Sequence, residues 1–361
     1  MPEIMRRQLV GCGLGAAAAA LGRSAPAAEA KTIPTVLGPI AAGDLGMTLP
    51  HDHPCSLWDF RRVPYPGPRP DELAQKYRNE QNHTLLAFWD LLGAELKRNG
   101  LRSILDPSPE YLGRAVGTLQ EISRRTGLNI LCATGYYVPS QRPADFVARG
   151  VDAAKDYMVR ELTEGIAGTS VRPAVIKLAV GGPVGNESDN LMLAAAGRAQ
   201  KETGAPITTH ATTTEGRRYL LDMLEKNGAD LSRVAIGHAD TNGSAEESAE
   251  LLRRAGYVLY TIWGITDPKL IGSRTPVALD HSAKLIRGLM DRGLIDKVMF
   301  SIDSWIYLHQ GGIGLCLYDI PERTSNFVFT FVLPQLRKLG ISDGEIRRMM
   351  VDNPRRHLCG A

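Results

Sequence analysis

Cysteine is scarce in this chain, with five in 361 residues, at positions 12, 55, 132, 316 and 359. No two of them form a Cys-x-x-Cys pair, so no disulfide framework is implied. Charge of one sign is also lacking. Forty-two Lys and Arg against 39 Asp and Glu leave a formal net charge of +3, too small to call for a polyanionic partner, and nucleic acid is not suggested. No internal repeat appears at the usual solenoid periods, and no low-complexity tract follows the N-terminus. No Gly-x-Gly-x-x-Gly opens a helix after the first strand and no Walker loop is present, which removes the main support for an open nucleotide-binding sheet. What is there is a globular, loop-rich composition, 43% hydrophobic and 22% charged with 37 Gly and 22 Pro. The length allows one large domain, and single-domain α/β barrels reach this size.

Residues 1–30 stand apart from the rest. Arg6-Arg7 precedes an apolar run over residues 9–21, and a small-residue tail ends in Ala28-Glu29-Ala30. The run is too short to span a bilayer as a permanent helix. The stretch reads as a twin-arginine signal removed after Ala30, which predicts a periplasmic or otherwise exported mature chain beginning at Lys31, with no integral membrane segment. Leu9-Val10-Gly11-Cys12 has the outline of a lipidation site, but a cut there leaves almost no apolar segment before it. Twin-arginine substrates fold before export, often around a metal, so unpaired thiols are compatible with this address.

From Thr35 onward the pattern predicts a short β-hairpin, with arms over residues 35–40 and 47–49, leading into Thr48-Leu49-Pro50-His51-Asp52-His53. Helical periodicity covers residues 71–98, where Leu85, Leu86, Phe88, Trp89, Leu92 and Leu96 recur at three and four before Asn99-Gly100 closes the helix. Strands are then expected at 103–105, 130–134, 174–178, 206–210, 234–238, 257–260 and 298–303. Helices are expected near 112–125, 146–165, 190–203 and 216–227, with two more before the last two strands. Counting the His-x-His segment as the first strand, eight strands alternate with helices. This is the pattern of a parallel (β/α)8 TIM barrel over residues 31–361.

His51 and His53, placed two apart in a strand, share a face, and two imidazoles aimed at one point suit a zinc-like ion. Four later strands each add a group: Lys177, His210, His238 and Asp303 fall at the ends of strands four, five, six and eight. Singly each has an ordinary explanation, as a snorkelling amine, a core histidine or a helix cap. Together they occupy one rim of a barrel, the rim where active sites are built.

In this order and spacing, Thr48-Leu49-Pro50-His51-Asp52-His53, Ile176-Lys177, Thr208-Thr209-His210, Ile236-Gly237-His238 and Ser301-Ile302-Asp303 resemble the phosphotriesterase family of the amidohydrolase superfamily. Thr35-Val36-Leu37-Gly38-Pro39-Ile40, Ala133-Thr134-Gly135 and Asp352-Asn353-Pro354-Arg355-Arg356 extend the likeness over residues 35–358. The resemblance implies two divalent metal ions, zinc foremost, with cobalt, manganese or iron as substitutes. His51, His53 and Asp303 would hold the more buried ion and His210 and His238 the more exposed one, with Lys177, carboxylated on its amine, between them. An ammonium cannot ligate a cation, so a lysine among such ligands has to lose its charge or become an anion.

The implied chemistry is hydrolysis, with a hydroxide made available at neutral pH by the metals, an ester oxygen polarised by the exposed ion, and Asp303 as catalytic proton acceptor. Tyr137 stands where lactonases of this family carry a tyrosine, which leans toward lactones. Trp263, after strand seven, departs from the His or Arg of those members. Trp305 is spaced one residue later from Asp303 than in the phosphotriesterase pattern. These three are the expected substrate contacts. Rim segments 264–280 and 305–323, with Tyr307, Ile313, Leu315 and Leu317, suit an apolar substrate or a homodimer contact equally. Phe327-Val328-Phe329-Thr330-Phe331-Val332-Leu333 reads as core helix. The expected activity is opening of a lactone or related carboxylic ester; the alternatives are a dedicated aryldialkylphosphatase and a non-catalytic metal-dependent binding protein on the same barrel.

Overall fold

The computed structural model describes residues 31–56, 82–263, 280–309, 312–316 and 324–360. The export-signal reading of residues 1–30, the start of the 71–98 helix, rim segment 264–279 and Leu317 lie outside them. So do the side chains of Tyr307, Ile313 and Leu315.

The first two strands, β1 (Thr32–Ile33) and β2 (Ile40–Ala41), pair antiparallel around the Thr35 turn, where Thr35 N–H donates to Gly38 O. A hairpin does precede the barrel, but its arms differ from those expected. Strand β3 (Met47–Leu49) is no hairpin arm; it pairs parallel with β5 (Leu101–Asp106) and is the first strand of the barrel. The His-x-His segment therefore follows strand one instead of forming it. His51 and Asp52 lie beyond β3, and His53 opens β4 (His53–Ser56), which pairs parallel with β12 (Trp305–His309), itself antiparallel to β13 (Gly312–Cys316). Periodicity alone could not separate the two, because apolar Met47-Thr48-Leu49 runs straight into the histidines.

The remaining barrel strands are β6 (Asn129–Tyr136), β7 (Val175–Ala179), β8 (Ile207–His210), β9 (Val234–Gly237), β10 (Tyr257–Tyr260) and β11 (Val298–Phe300). Their order, β3-β5-β6-β7-β8-β9-β10-β11, is sequential, and every pairing is parallel. The two ends of this sheet meet where Asp303 N–H donates to His51 O at 3.2 Å. This is a (β/α)8 barrel with the expected helices between its strands.

Helix starts are set by polar caps that apolar periodicity cannot see. Asn186 accepts from Asp189 N–H and starts Glu187–Thr203, and Thr213 accepts from Gly216 N–H and starts Thr214–Lys226. Both begin two or three residues earlier than expected. Residues 327–333 are core as read, with Phe327, Val328, Val332 and Leu333 buried, though Val328–Val332 is wound as a π-helix ahead of Leu333–Lys338.

Strands buried on both faces send alternate side chains outward to the helices and inward to the barrel axis. Ile104, Ile130, Cys132, Ile176, Ile236 and Phe300 join the large helix-facing core. Leu105, Leu131, Ala133 and Val175 form a smaller cluster with Leu45 and Leu358. Lys177 shares the parity of Val175 and so faces the barrel interior.

Candidate metal centre

Barrel closure brings His51, His53 and Asp303 together. Nε2 of His51 lies 3.6 Å and Nε2 of His53 3.2 Å from Oδ1 of Asp303, with all three residues buried. One ligand atom from each falls within 4.8 Å of the others, the spacing of donors around a single cation. Burial and the Lys177 charge beside it hold the His51 imidazole well below its usual value. Burial alone would raise the Asp303 carboxyl, but the hydrogen bond from His53 and the imidazoles around it hold it well below the usual range. A neutral imidazole and an ionised carboxylate are the forms a metal takes.

Lys177, in the middle of β7, is 1% exposed, and its amine lies 3.1 Å from His51 Nε2. Burial pushes that amine down to about 7, against the Asp303 and Asp106 carboxylates, which favour its charge. Burial thus brings the uncharged amine toward neutral pH. His210, the last residue of β8, is the most open of the four site histidines, and its Nδ1 lies 3.2 Å from the Tyr137 hydroxyl. Strand alternation would send His238 outward with Ile236. A left-handed φ of 58° turns the chain instead, and its ring meets those of His51 (4.9 Å between centroids) and His210 (4.3 Å). Asp303 also has a positive φ, 53°. All six expected ligands therefore gather at one rim.

Residues behind the ligands went unread in the sequence. Asp106 and Ser108 flank Nδ1 of His53, at 3.4 and 2.7 Å. Thr261 Oγ1 lies 2.6 Å from Nδ1 of His238, and the Asp240 carboxylate holds Thr261 in place by accepting its backbone N–H. Asp52, between the two ligand histidines, accepts from Ser301 Oγ, and burial pushes its carboxyl up to about 6. The available signal was positional: Asp106, Asp240 and Thr261 each sit at or just past a strand end.

Comparison with known proteins gives the family. Residues 31–358 match the phosphotriesterase family. The chain belongs to that family. It is a family of metal-dependent hydrolases, and this chain is a hydrolase. It is 30% identical over 335 residues to a phosphotriesterase homology protein of Mycobacterium tuberculosis, covering 89% of this chain and 96% of that one. An aryldialkylphosphatase of Saccharolobus solfataricus is 24% identical over 325 residues, covering 88% and 96%. Among solved structures, a variant of a PTE-like lactonase from Deinococcus radiodurans superposes with a TM-score of 0.78 at 29% identity, covering 91% of this chain and 100% of that one.

Within the phosphotriesterase family, the aromatic positions of this chain now separate. Tyr137 reaches the site through His210. Trp305 stacks on His53, with centroids 3.6 Å apart, and its indole N–H donates to Oδ1 of Asp303 at 3.1 Å, so it supports the ligands directly. Trp263 is wholly buried, donates its indole N–H to Ser301 O at 2.8 Å and packs edge-on against Phe300. Its bulk and apolarity are used for packing.

Proposed function

We propose that this chain is an exported hydrolase that uses two divalent cations to open lactones or related carboxylic esters. His51, His53 and Asp303 would hold one cation and His210 and His238 the other, with a carboxylated Lys177 shared between them. The observation that carries the reading is the place of the Lys177 amine, buried beside His51, whose ring leads through His238 to His210. Only an uncharged amine can add carbon dioxide, forming an N–C bond and releasing one proton, and burial supplies that form at neutral pH. When bound there, divalent cations would supply a lowered pKa for water and polarisation of an ester oxygen. Asp303, kept ionised, accepts the proton released as the ester is attacked. The Tyr137 hydroxyl, 3.2 Å from His210 Nδ1, would meet a lactone carbonyl, and the likeness to a lactonase structure supports that substrate.

The test is to assay the mature chain, loaded with zinc or cobalt, on an acyl-homoserine lactone, a δ-lactone and an aryl phosphotriester. We expect two metals per chain and the highest kcat/KM on a lactone. A phosphotriester rate far above both lactones makes the chain a dedicated aryldialkylphosphatase. Full metal occupancy with no turnover makes it a binding protein. Export rests on Arg6-Arg7 and the short apolar run that follows them. Replacing both arginines by lysine should retain the precursor in the cytoplasm, and export of that variant at the normal level refutes the twin-arginine assignment.

A further inference from the structure

We propose that Asp106 is a positioning residue that fixes the tautomer and ring orientation of His53, and through them the hold of the buried cation. The inference rests on the metal-binding reading above.

Asp106 is the last residue of β5, in register with Cys132 of β6, and its side chain is wholly buried. No lysine or arginine pairs with it among the described residues, and its Oδ2 has no hydrogen-bond partner there. A carboxylate enclosed in this way is costly unless its charge is used. Its other oxygen, Oδ1, is occupied. It accepts the Ser108 N–H at 2.9 Å and lies 3.4 Å from Nδ1 of His53. Ser108 Oγ lies 2.7 Å from the same nitrogen.

An imidazole has two nitrogens, and a cation can take only one that lacks a proton. With an acidic oxygen and a hydroxyl both facing Nδ1, the proton stays on that side. Nε2, 3.2 Å from Oδ1 of Asp303, then turns its lone pair toward the cluster. The Trp305 ring stacked on His53 fixes the plane in which this happens. Such carboxylate–histidine pairs orient the imidazole and raise its basicity as a ligand, and losing one typically costs about 10- to 100-fold in metal affinity.

The experiment follows cobalt release from the loaded, mature chain into excess EDTA, together with the cobalt absorption spectrum and the melting temperature. Asp106→Asn should keep the fold and release cobalt about 10- to 100-fold faster than wild type, with an altered spectrum. Ser108→Ala should shift release in the same direction by less. Leu336→Ala, a buried leucine in the C-terminal helices, controls for lost stability alone: it should lower the melting temperature without the faster release. Wild-type release from Asp106→Asn, or equally fast release from Leu336→Ala, overturns the inference. If Asp106→Asn does not fold, an unchanged rate in Ser108→Ala overturns it. A wild-type chain that holds no cobalt sinks the metal reading and this inference with it; a wild-type chain that holds cobalt leaves the variants to decide this one alone.

Discussion

At Asp303 a single oxygen, Oδ1, is approached by Nε2 of His51 at 3.6 Å, Nε2 of His53 at 3.2 Å and the indole N–H of Trp305 at 3.1 Å. The crowding leaves the carboxylate ionised and fixed, as the proposed roles of ligand and proton acceptor require. Asp303→Asn keeps the shape and removes the charge. We expect it to abolish turnover, a loss of at least about 10²- to 10⁴-fold in kcat, while the melting temperature and most of the metal content remain; wild-type kcat would remove Asp303 from the mechanism. The candidate ligands, all but Lys177, which sits mid-strand in β7, at or near a strand end, were readable at this scale because each is a chemically distinctive side chain. Asp106, Ser108 and Thr261 were not. Their roles come from which ligand nitrogen they face, and that depends on how strands far apart in sequence are stacked.

Strand direction and loop geometry act at the next scale up. Lys177 points inward because β7 alternates, which a period of two makes legible from the sequence. His238 points inward because its backbone is left-handed, which no period predicts. Gly135 serves the same end in β6. Its φ is 114°, and a Cβ there would stand 2.1 Å from Lys177 O, inside van der Waals contact with the neighbouring strand's backbone. Gly135→Ala should therefore cost on the order of 3 kcal/mol or more, from the strained φ and the displacement of β7. Because the displaced strand carries Lys177, metal content should fall with stability. A variant with wild-type unfolding free energy and full metal would show that β7 can yield without consequence. The misplaced first strand belongs to this scale too. Met47–Leu49 and His53–Ser56 are both short and lie close together in the sequence, and only their different partners, β5 and β12, assign one to the barrel and the other to its rim.

Over the whole molecule, the chain's end returns to the barrel. His357, in the Asn353–Cys359 helix, is wholly enclosed, edge-on to Tyr257 of β10, and neither ring nitrogen has a hydrogen-bond partner among the described residues. Burial, helped by the Arg233 charge, pushes its imidazole from 6.5 down to about 3. The unfolded chain thus binds a proton near pH 6.5 that the folded chain refuses until about pH 3. The stability this residue allows is complete above pH 6.5 and is lost as pH falls through that window, at a slope of about 1.4 kcal/mol per pH unit. Urea unfolding at pH 7 and pH 5 should show the slope in wild type and a shallower one in His357→Phe. Equal slopes would mean that the ring is solvated or titrates normally.

The sequence by itself determined the class of fold and singled out six candidate groups for its rim, because hydrophobic periodicity and residue chemistry are local properties that survive without coordinates. The tertiary structure decided what stands behind those groups, which strand begins the barrel, and that Trp263 packs inside while Trp305 supports Asp303 and His53. Those outcomes depend on distances between segments far apart in the sequence, 249 positions for Asp52 and Ser301, and closure of the barrel is what sets them.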